Sequence, residues 1–217
     1  MYNVSNYVHP CIEWWVKRLE NNQKKPCNRK LLKQQGALLY LHDLIYILAL
    51  IILLFLLVFR IVVVSGSSME NTLQHGDYLL LVGNLFYTNM EQGDIIVASK
   101  DSFEDGAPIV KRIIATEGQT VDIDCNTGLV YVDGIPLKEN YTSTKLESTE
   151  GGTFPQTVQP GCVFVMGDNR GISKDSRSPE IGQIDKREIL GKVVFLLLPG
   201  HQEGAGALDL DRIGVIS

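Results

Sequence analysis

The hydrophobic pattern divides the 217-residue chain into a polar N-terminal part, one long apolar run and a long part with several short apolar runs. Every residue from Leu44 to Phe59 is apolar or tyrosine, and the run resumes after Arg60 as residues 61–64. As a helix, residues 44–64 would rise about 31 Å, close to the ~30 Å hydrocarbon core of a bilayer. The pattern therefore predicts one transmembrane helix, with the stem of Arg60 reaching toward the headgroups.

Two other interpretations of the long apolar run fit its length less well. A buried core helix usually has about 10–14 consecutive apolar residues. A cleaved signal peptide has an apolar part of roughly 7–15 residues near its N-terminus. This run starts more than 40 residues into the chain. We therefore predict that it is retained as a membrane anchor.

The part of the chain after residue 77 has the short apolar runs and intervening turn residues that are typical of β-strands. Asn126-Thr127-Gly128 separates two of these runs and predicts a hairpin. Residues 138–160 are rich in Ser, Thr, Gly and Pro, which predicts an exposed excursion from the fold. Helical periodicity is scarce here, so we expect a mainly β domain. The predicted strands are Leu79–Val82, Asp94–Ala98, Ile109–Ala115, Val121–Asp124, Leu129–Val132, Cys162–Met166 and Val193–Leu198.

Charge is distributed unequally on the two sides of the apolar run. Seven basic and three acidic residues precede it, whereas 12 basic and 22 acidic residues follow from Ser65 onward. Because basic residues stay on the cytoplasmic side, we predict a cytoplasmic tail over residues 1–36. After this tail we predict a transmembrane region over residues 37–64 and an extracytoplasmic domain over residues 65–217. The acidic domain argues against nucleic acid as a partner.

The N-terminal tail allows two interpretations. Ile12, Trp15, Val16 and Leu19 fall on one side of a helix, which would suit a segment lying at the inner membrane surface. A mostly flexible tail is equally compatible with the polar and basic composition.

Cysteine and histidine are sparse. Cys125 and Cys162 lie in the predicted extracytoplasmic domain, where a disulfide is permitted, and the sequence leaves open whether they pair. Cys11 and Cys27 lie in the predicted cytoplasmic tail and should be reduced. No CxxC pair or His/Cys cluster occurs in the sequence, so we predict no metal site. No motif for binding ATP or a dinucleotide occurs either, so we predict no cofactor.

Lys111 interrupts one of the predicted strands. At a period of two residues, Ile109, Lys111 and Ile113 share one face of the strand. A lysine at a strand edge can simply reach solvent. If it is buried instead, desolvation lowers the pKa of a lysine by as much as 3–5 units, and the neutral amine is a usable general base. The pattern around Lys111 alone leaves both interpretations open.

Four short motifs follow the apolar run in a fixed order. In this order, behind a single predicted span, they make the chain resemble the type I signal peptidases, which are membrane-anchored Ser/Lys proteases. The resemblance extends from the span to about Leu198 and is to Gram-positive-like members. The sequence departs from the family at Asn71, where the family has proline. It also departs after the third motif, where Ala115, Glu117 and Gln119 replace the family's Gly, Pro and Asp. The motifs are Ser68–Thr72, Gly76–Leu80, Lys111–Ile114 and Gly167–Arg177.

The resemblance implies roles for six residues. Ser68 would attack the scissile carbonyl, and neutral Lys111 would take its proton and later activate water to hydrolyse the acyl-enzyme. Ser173 would hydrogen-bond Lys111. The backbone N–H of Ser68 and a backbone donor near Gly66 would stabilise the oxyanion. An ion pair would brace the loop that carries Ser173, and its members are Asp175 and Arg177.

The resemblance also implies a fold and a substrate. The fold is an antiparallel β-sheet or barrel-like catalytic domain behind the membrane helix. The substrates are signal peptides of exported preproteins, bound as an extended strand and cut after small residues of the Ala-x-Ala type. The resemblance further implies that the protein contacts the lipid bilayer and lies near the secretion translocon.

The residues also suggest three alternatives to a signal peptidase. One is a membrane-anchored Ser/His/Asp hydrolase that uses His75 or His201. Another is a sortase-like transpeptidase that uses Cys162. The third is a non-catalytic, membrane-anchored β-domain that binds partners.

Overall fold

The computed structural model describes residues 14–18, 29–100, 103, 106–200 and 208–216, and only the backbone for residues 29–37. The chain forms two units, Met1–Leu53 and Leu54–Ser217. Most of helix α1, Arg29–Val58, belongs to the first unit. Its stretch Leu38–Val58 is long and apolar enough to cross a membrane, as the sequence predicts.

Residues 14–18, in the N-terminal tail, are helical. Trp15 and Val16 therefore lie in a helix, as the first interpretation of the tail requires. The other two apolar positions of that interpretation, Ile12 and Leu19, lie outside the described residues.

The apolar helix ends earlier than the sequence predicts. After Val58 the chain continues as strand β1, Phe59–Val63, which pairs antiparallel with strand β2, Tyr78–Gly83. The prediction of a helix through Val64 is therefore wrong over these last residues. Residues 61–64 are all β-branched, which favours extended backbone, and pairing with β2 satisfies the backbone groups that a helix would otherwise pair.

Among the described residues, the larger sheet contains eight strands. Besides β1 and β2 they are β3 (Ile95–Ser99), β4 (Pro108–Thr116), β9 (Cys162–Met166), β10 (Ile184–Asp185), β11 (Ile189–Leu198) and β12 (Gly214–Val215). Their order is β1-β2-β11-β3-β4-β9-β10, and β12 pairs with β11. Every pair is antiparallel.

The smaller sheet has the order β7-β6-β5-β8 and is also antiparallel. The predicted hairpin is confirmed, because residues 125–128 join its two longest strands. The prediction of a mainly β, antiparallel fold behind one apolar helix is confirmed as well. The strands of this sheet are β5 (Thr120–Asp124), β6 (Leu129–Val132), β7 (Ile135–Pro136) and β8 (Gln156–Thr157).

The polar stretch 138–160 is more integrated into the fold than its composition predicts. Leu146 and Val158 are fully buried in an apolar cluster with Phe164 of β9. The few apolar residues of this stretch therefore cover one side of the core, while its many small polar residues form turns. Cys125 and Cys162 are free thiols at the rim of the same cluster, so the permitted disulfide is not formed.

Candidate active site

Ser68 lies in a closed loop between β1 and β2, which we call the serine loop, residues 64–77. The backbone N–H of Val64 donates to the carbonyl of Asp77 at 2.9 Å and closes the loop at its base. Met69 and Leu73 are buried inside the domain, at 2% and 0% exposure. Burial of these two side chains stabilises the turn that carries Ser68, because another position of the turn would expose them to water.

Strand β4 brings Lys111 to this serine from 43 positions away in the sequence. The Nζ atom of Lys111 lies 2.7 Å from Ser68 Oγ and also donates to the carbonyl of Val110 at 3.1 Å. Lys111 is 5% exposed. The sequence left its burial open, and the structure places the amine inside the domain, in contact with the serine hydroxyl.

A groove of about 530 Å³ opens over this pair. The serine loop forms one side of it, residues 107–111 form another, and Ile172 and Lys174 also line it. The first half of β4 pairs with β3, whereas pairing with β9 begins only at Arg112. Among the described strands, the other edge of residues 108–111 is therefore unpaired along the groove.

Asp168 joins the serine loop to β4. It is fully buried and accepts hydrogen bonds from Arg112 Nε at 3.0 Å and Nη2 at 2.8 Å. It also accepts one from Thr72 Oγ1 at 2.5 Å. The guanidinium of Arg112 stacks on the ring of Tyr141 at 4.1 Å. Thr72 of the serine loop and Arg112 of β4 therefore bond the same buried carboxylate. This joins the two segments that carry Ser68 and Lys111.

Gly167 and Asn169 hold the backbone of the serine itself. The Asn169 N–H donates to the carbonyl of Ser68 at 3.0 Å. A Cβ atom at Gly167 would lie 2.5 Å from that carbonyl oxygen and 2.2 Å from Ser173 Oγ, so only glycine fits. Sequence reasoning gave Asp168, Asn169 and Gly167 no role of their own, although their place in the fourth motif was a signal for one.

Asp175 and Arg177 form the predicted ion pair, with Nε 2.8 Å from Oδ1 and both side chains fully buried. Arg177 Nη2 also donates to the carbonyls of Ser173 and Arg170, each at 3.0 Å. The pair thus fixes the segment that carries Ser173. The Ser173 hydroxyl lies beside Gly167 and donates weakly to the Lys174 carbonyl at 3.5 Å. Its predicted hydrogen bond to Lys111 stays a prediction.

Gly66 has the left-handed conformation, with φ of +95°. Its N–H donates to Nδ1 of His75 at 3.1 Å, so this donor is already engaged. The N–H groups of Ser67 and Ser68 have no acceptor within the described ranges of the chain. His75 lies in the serine loop and its ring contacts Gly66, whereas the Ser68 hydroxyl contacts Lys111.

Comparisons with known proteins identify the family. The family model for signal peptidase, peptidase S26, matches residues 38–198. Signal peptidase I of Bacillus licheniformis is 36% identical over 164 residues, which cover 72% of this chain and 84% of the relative. Signal peptidase I of Bacillus amyloliquefaciens is 32% identical over 189 residues, covering 82% and 95%. A crystal structure of a signal peptidase I from Enterococcus faecalis V583 matches at 28% identity with a TM-score of 0.40, over 48% of this chain and 97% of that one. The match over residues 38–198 and the two Bacillus relatives show that the chain belongs to the signal peptidase family, peptidase S26.

Proposed function

We propose that this protein is a serine endopeptidase that removes N-terminal signal peptides from exported preproteins with Ser68 as nucleophile and Lys111 as general base. The observation that carries the proposal is the 2.7 Å contact between Lys111 Nζ and Ser68 Oγ at the floor of an open groove. Membership in the signal peptidase family supplies the reaction class.

Burial explains how a lysine can act as the base. Lys111 is 5% exposed, and a low-dielectric site penalises the ammonium relative to the neutral amine. The neutral amine accepts the Ser68 proton as Oγ attacks the scissile carbonyl carbon. The proton then passes to the departing amine, and the ester carbon of the acyl-enzyme is attacked by a water that Lys111 deprotonates. Ser173 is the group proposed to orient the amine.

The oxyanion of the tetrahedral intermediate needs donors that are already in place. The N–H of Ser68 is the proposed donor, since it has no acceptor among the described residues. The second donor predicted from sequence was a backbone group near Gly66. The Gly66 N–H itself bonds His75, so the neighbouring N–H of Ser67 is the better candidate.

The substrate is proposed to bind as an extended strand along the groove. The unpaired edge of residues 108–111 offers backbone donors and acceptors to such a peptide, as in other strand-addition complexes. The peptide would place small side chains, of the Ala-x-Ala type, one and three positions before the cut.

The membrane arrangement is part of the same proposal. Helix α1 would anchor the chain through residues 38–58, and the basic residues before it would keep the N-terminus cytoplasmic. Residues 65–217 would then be extracytoplasmic, beside the bilayer and near the secretion translocon. Ser68 follows the helix by only ten residues, which suits cleavage of a membrane-inserted signal peptide.

The test is to incubate the purified full-length protein, in detergent, with a preprotein that has Ala one and three positions before the expected cut. We expect a single cut, and mass spectrometry of the products should place it at the peptide bond directly after the second Ala. Replacing that Ala by Leu should abolish cleavage. Failure to cut the first preprotein, or equal cutting of both, would contradict the proposed function.

A further inference from the structure

The turn that closes the serine loop, residues 74–77, is clamped by the C-terminal segment of the chain. Arg212 belongs to a short 3-10 helix, Leu210–Arg212. Its Nη2 lies 2.6 Å from Oδ2 of Asp77, and its Nη1 lies 3.1 Å from Oδ1. The Asp77 side chain is fully buried and that of Arg212 is 18% exposed. This two-point contact joins positions 135 residues apart.

The same two side chains hold the rest of the turn. Arg212 Nη1 also donates to Gln74 Oε1 at 2.7 Å. The Asp77 carboxylate accepts the backbone N–H of Gln74 at 2.7 Å and that of Gly200 at 2.8 Å. Gly200 packs against the turn so closely that a Cβ atom there would lie 2.2 Å from the His75 carbonyl oxygen. The Asp77 carboxylate therefore ties this turn to Gly200 and to Arg212, in addition to the backbone hydrogen bonds that the turn makes with Val64.

The turn is connected to the nucleophile through His75. His75 lies within the turn, and its Nδ1 accepts the N–H of Gly66. Gly66 has a positive φ and stands two residues before Ser68. A shift of the turn would therefore move Gly66. Because Ser68 follows two residues later, its Oγ atom, which must reach the scissile carbonyl, would move as well.

We propose that Arg212 is a positioning residue for Ser68, acting through Asp77 and the turn 74–77. The inference rests on the proposed function, because positioning has meaning only for a reacting serine. Asp77 belongs to the second sequence motif, which by itself gave it no role. Arg212 lies outside residues 38–198, the part that the family model matches, so this chain supplies the partner of a motif residue from its own C-terminal segment.

The expected consequence is a loss of turnover rather than of substrate binding. Arg212 lies at the base of the serine loop and does not line the groove. Reacting atoms misplaced by about 1 Å can lower the rate by roughly 100-fold. We therefore expect Arg212→Met to lower kcat by about 10- to 100-fold while KM changes by less than about 3-fold.

Arg187 provides a matched control. It too lies in a three-residue 3-10 helix, Lys186–Glu188, and pairs with an aspartate, Asp185, at 2.6 Å, but it is exposed. The test compares wild type, Arg212→Met, Arg212→Lys and Arg187→Met as full-length proteins on one preprotein. All are assayed at a temperature where near-UV circular dichroism shows each of them folded. Arg212→Lys keeps the charge but not the fork of donors, so its kcat should fall between wild type and Arg212→Met.

The outcomes separate this inference from the proposed function. Failure of the wild type to cleave the preprotein contradicts the proposed function. Cleavage by the wild type with an unchanged kcat in folded Arg212→Met overturns the positioning role alone, and so does a loss confined to KM. If Arg212→Met does not fold, Arg212→Lys decides, since a wild-type kcat in that variant contradicts the role of the guanidinium fork.

Discussion

Replacing Asp168 with asparagine removes the charge that joins the serine loop to β4. The carboxylate is fully buried and accepts three hydrogen bonds, two from Arg112 and one from Thr72. Asparagine keeps the shape but leaves the guanidinium of Arg112, which is 3% exposed, without its counter-charge. Breaking a buried pair by removing one partner costs about 3–5 kcal/mol. In a domain of this size each kcal/mol lowers Tm by about 2–4 °C.

We therefore expect the Tm of Asp168→Asn to fall by roughly 6–20 °C. The assay is a near-UV circular dichroism melt of the full-length protein, which reports the packing of the β-domain rather than the helix. Asp122→Asn, at an exposed position of β5, should melt within about 2 °C of wild type because surface substitutions have small effects. A Tm for Asp168→Asn that matches this control would show that the buried carboxylate of Asp168 does not stabilise the domain through Arg112 and Thr72.

Three further predictions concern the serine loop and its base. Asn71 has a φ of +83°, which proline cannot adopt, so Asn71→Pro should lower both Tm and kcat/KM although it restores the family's residue, whereas Asn71→Gly should preserve both. Wild-type cleavage rates in Asn71→Pro would contradict this backbone conformation. His75→Ala should lower kcat several-fold and His75→Asn should lower it less, because an amide oxygen can accept the Gly66 N–H in place of Nδ1. Inactivity of His75→Asn comparable to Lys111→Ala would instead favour a histidine base. Finally, kcat/KM should rise with pH, because only the neutral amine of Lys111 can accept the Ser68 proton, and a flat profile would argue against a lysine base.

The sequence predicted the elements whose signal is local. The length of the apolar run predicted helix α1, and turn residues between apolar runs predicted the long strands. The end of the helix was missed because apolar, β-branched residues at 61–64 suit a membrane helix and a strand equally, and only pairing with β2 decides between them. Apolarity alone carries no information about that partner.

In the candidate site, too, the sequence predicted what local motifs mark and missed what depends on tertiary contacts. The motifs identified Ser68 and Lys111, and the fold brings them together. The alternation along β4 predicted that Lys111 shares a strand face with Ile109 and Ile113. It carried no sign that the neighbouring Arg112 bonds Asp168 and stacks on Tyr141. Arg212 had no signal at all, since no local pattern marks a contact across 135 positions. Such contacts depend on the packing of the whole domain.

Ser68 and Lys111 are proposed to perform the cleavage together. Two exposed residues provide matched controls, Ser143 and Lys138. The most direct measurement is the single-turnover rate of preprotein cleavage by the full-length wild type, Ser68→Ala, Lys111→Ala, Ser143→Ala and Lys138→Ala. We expect a loss of at least about 1,000-fold for each dyad variant, as when one member of a catalytic unit is removed. The controls should keep the wild-type rate, and cleavage that persists in either dyad variant would exclude the Ser68–Lys111 dyad as the catalytic unit.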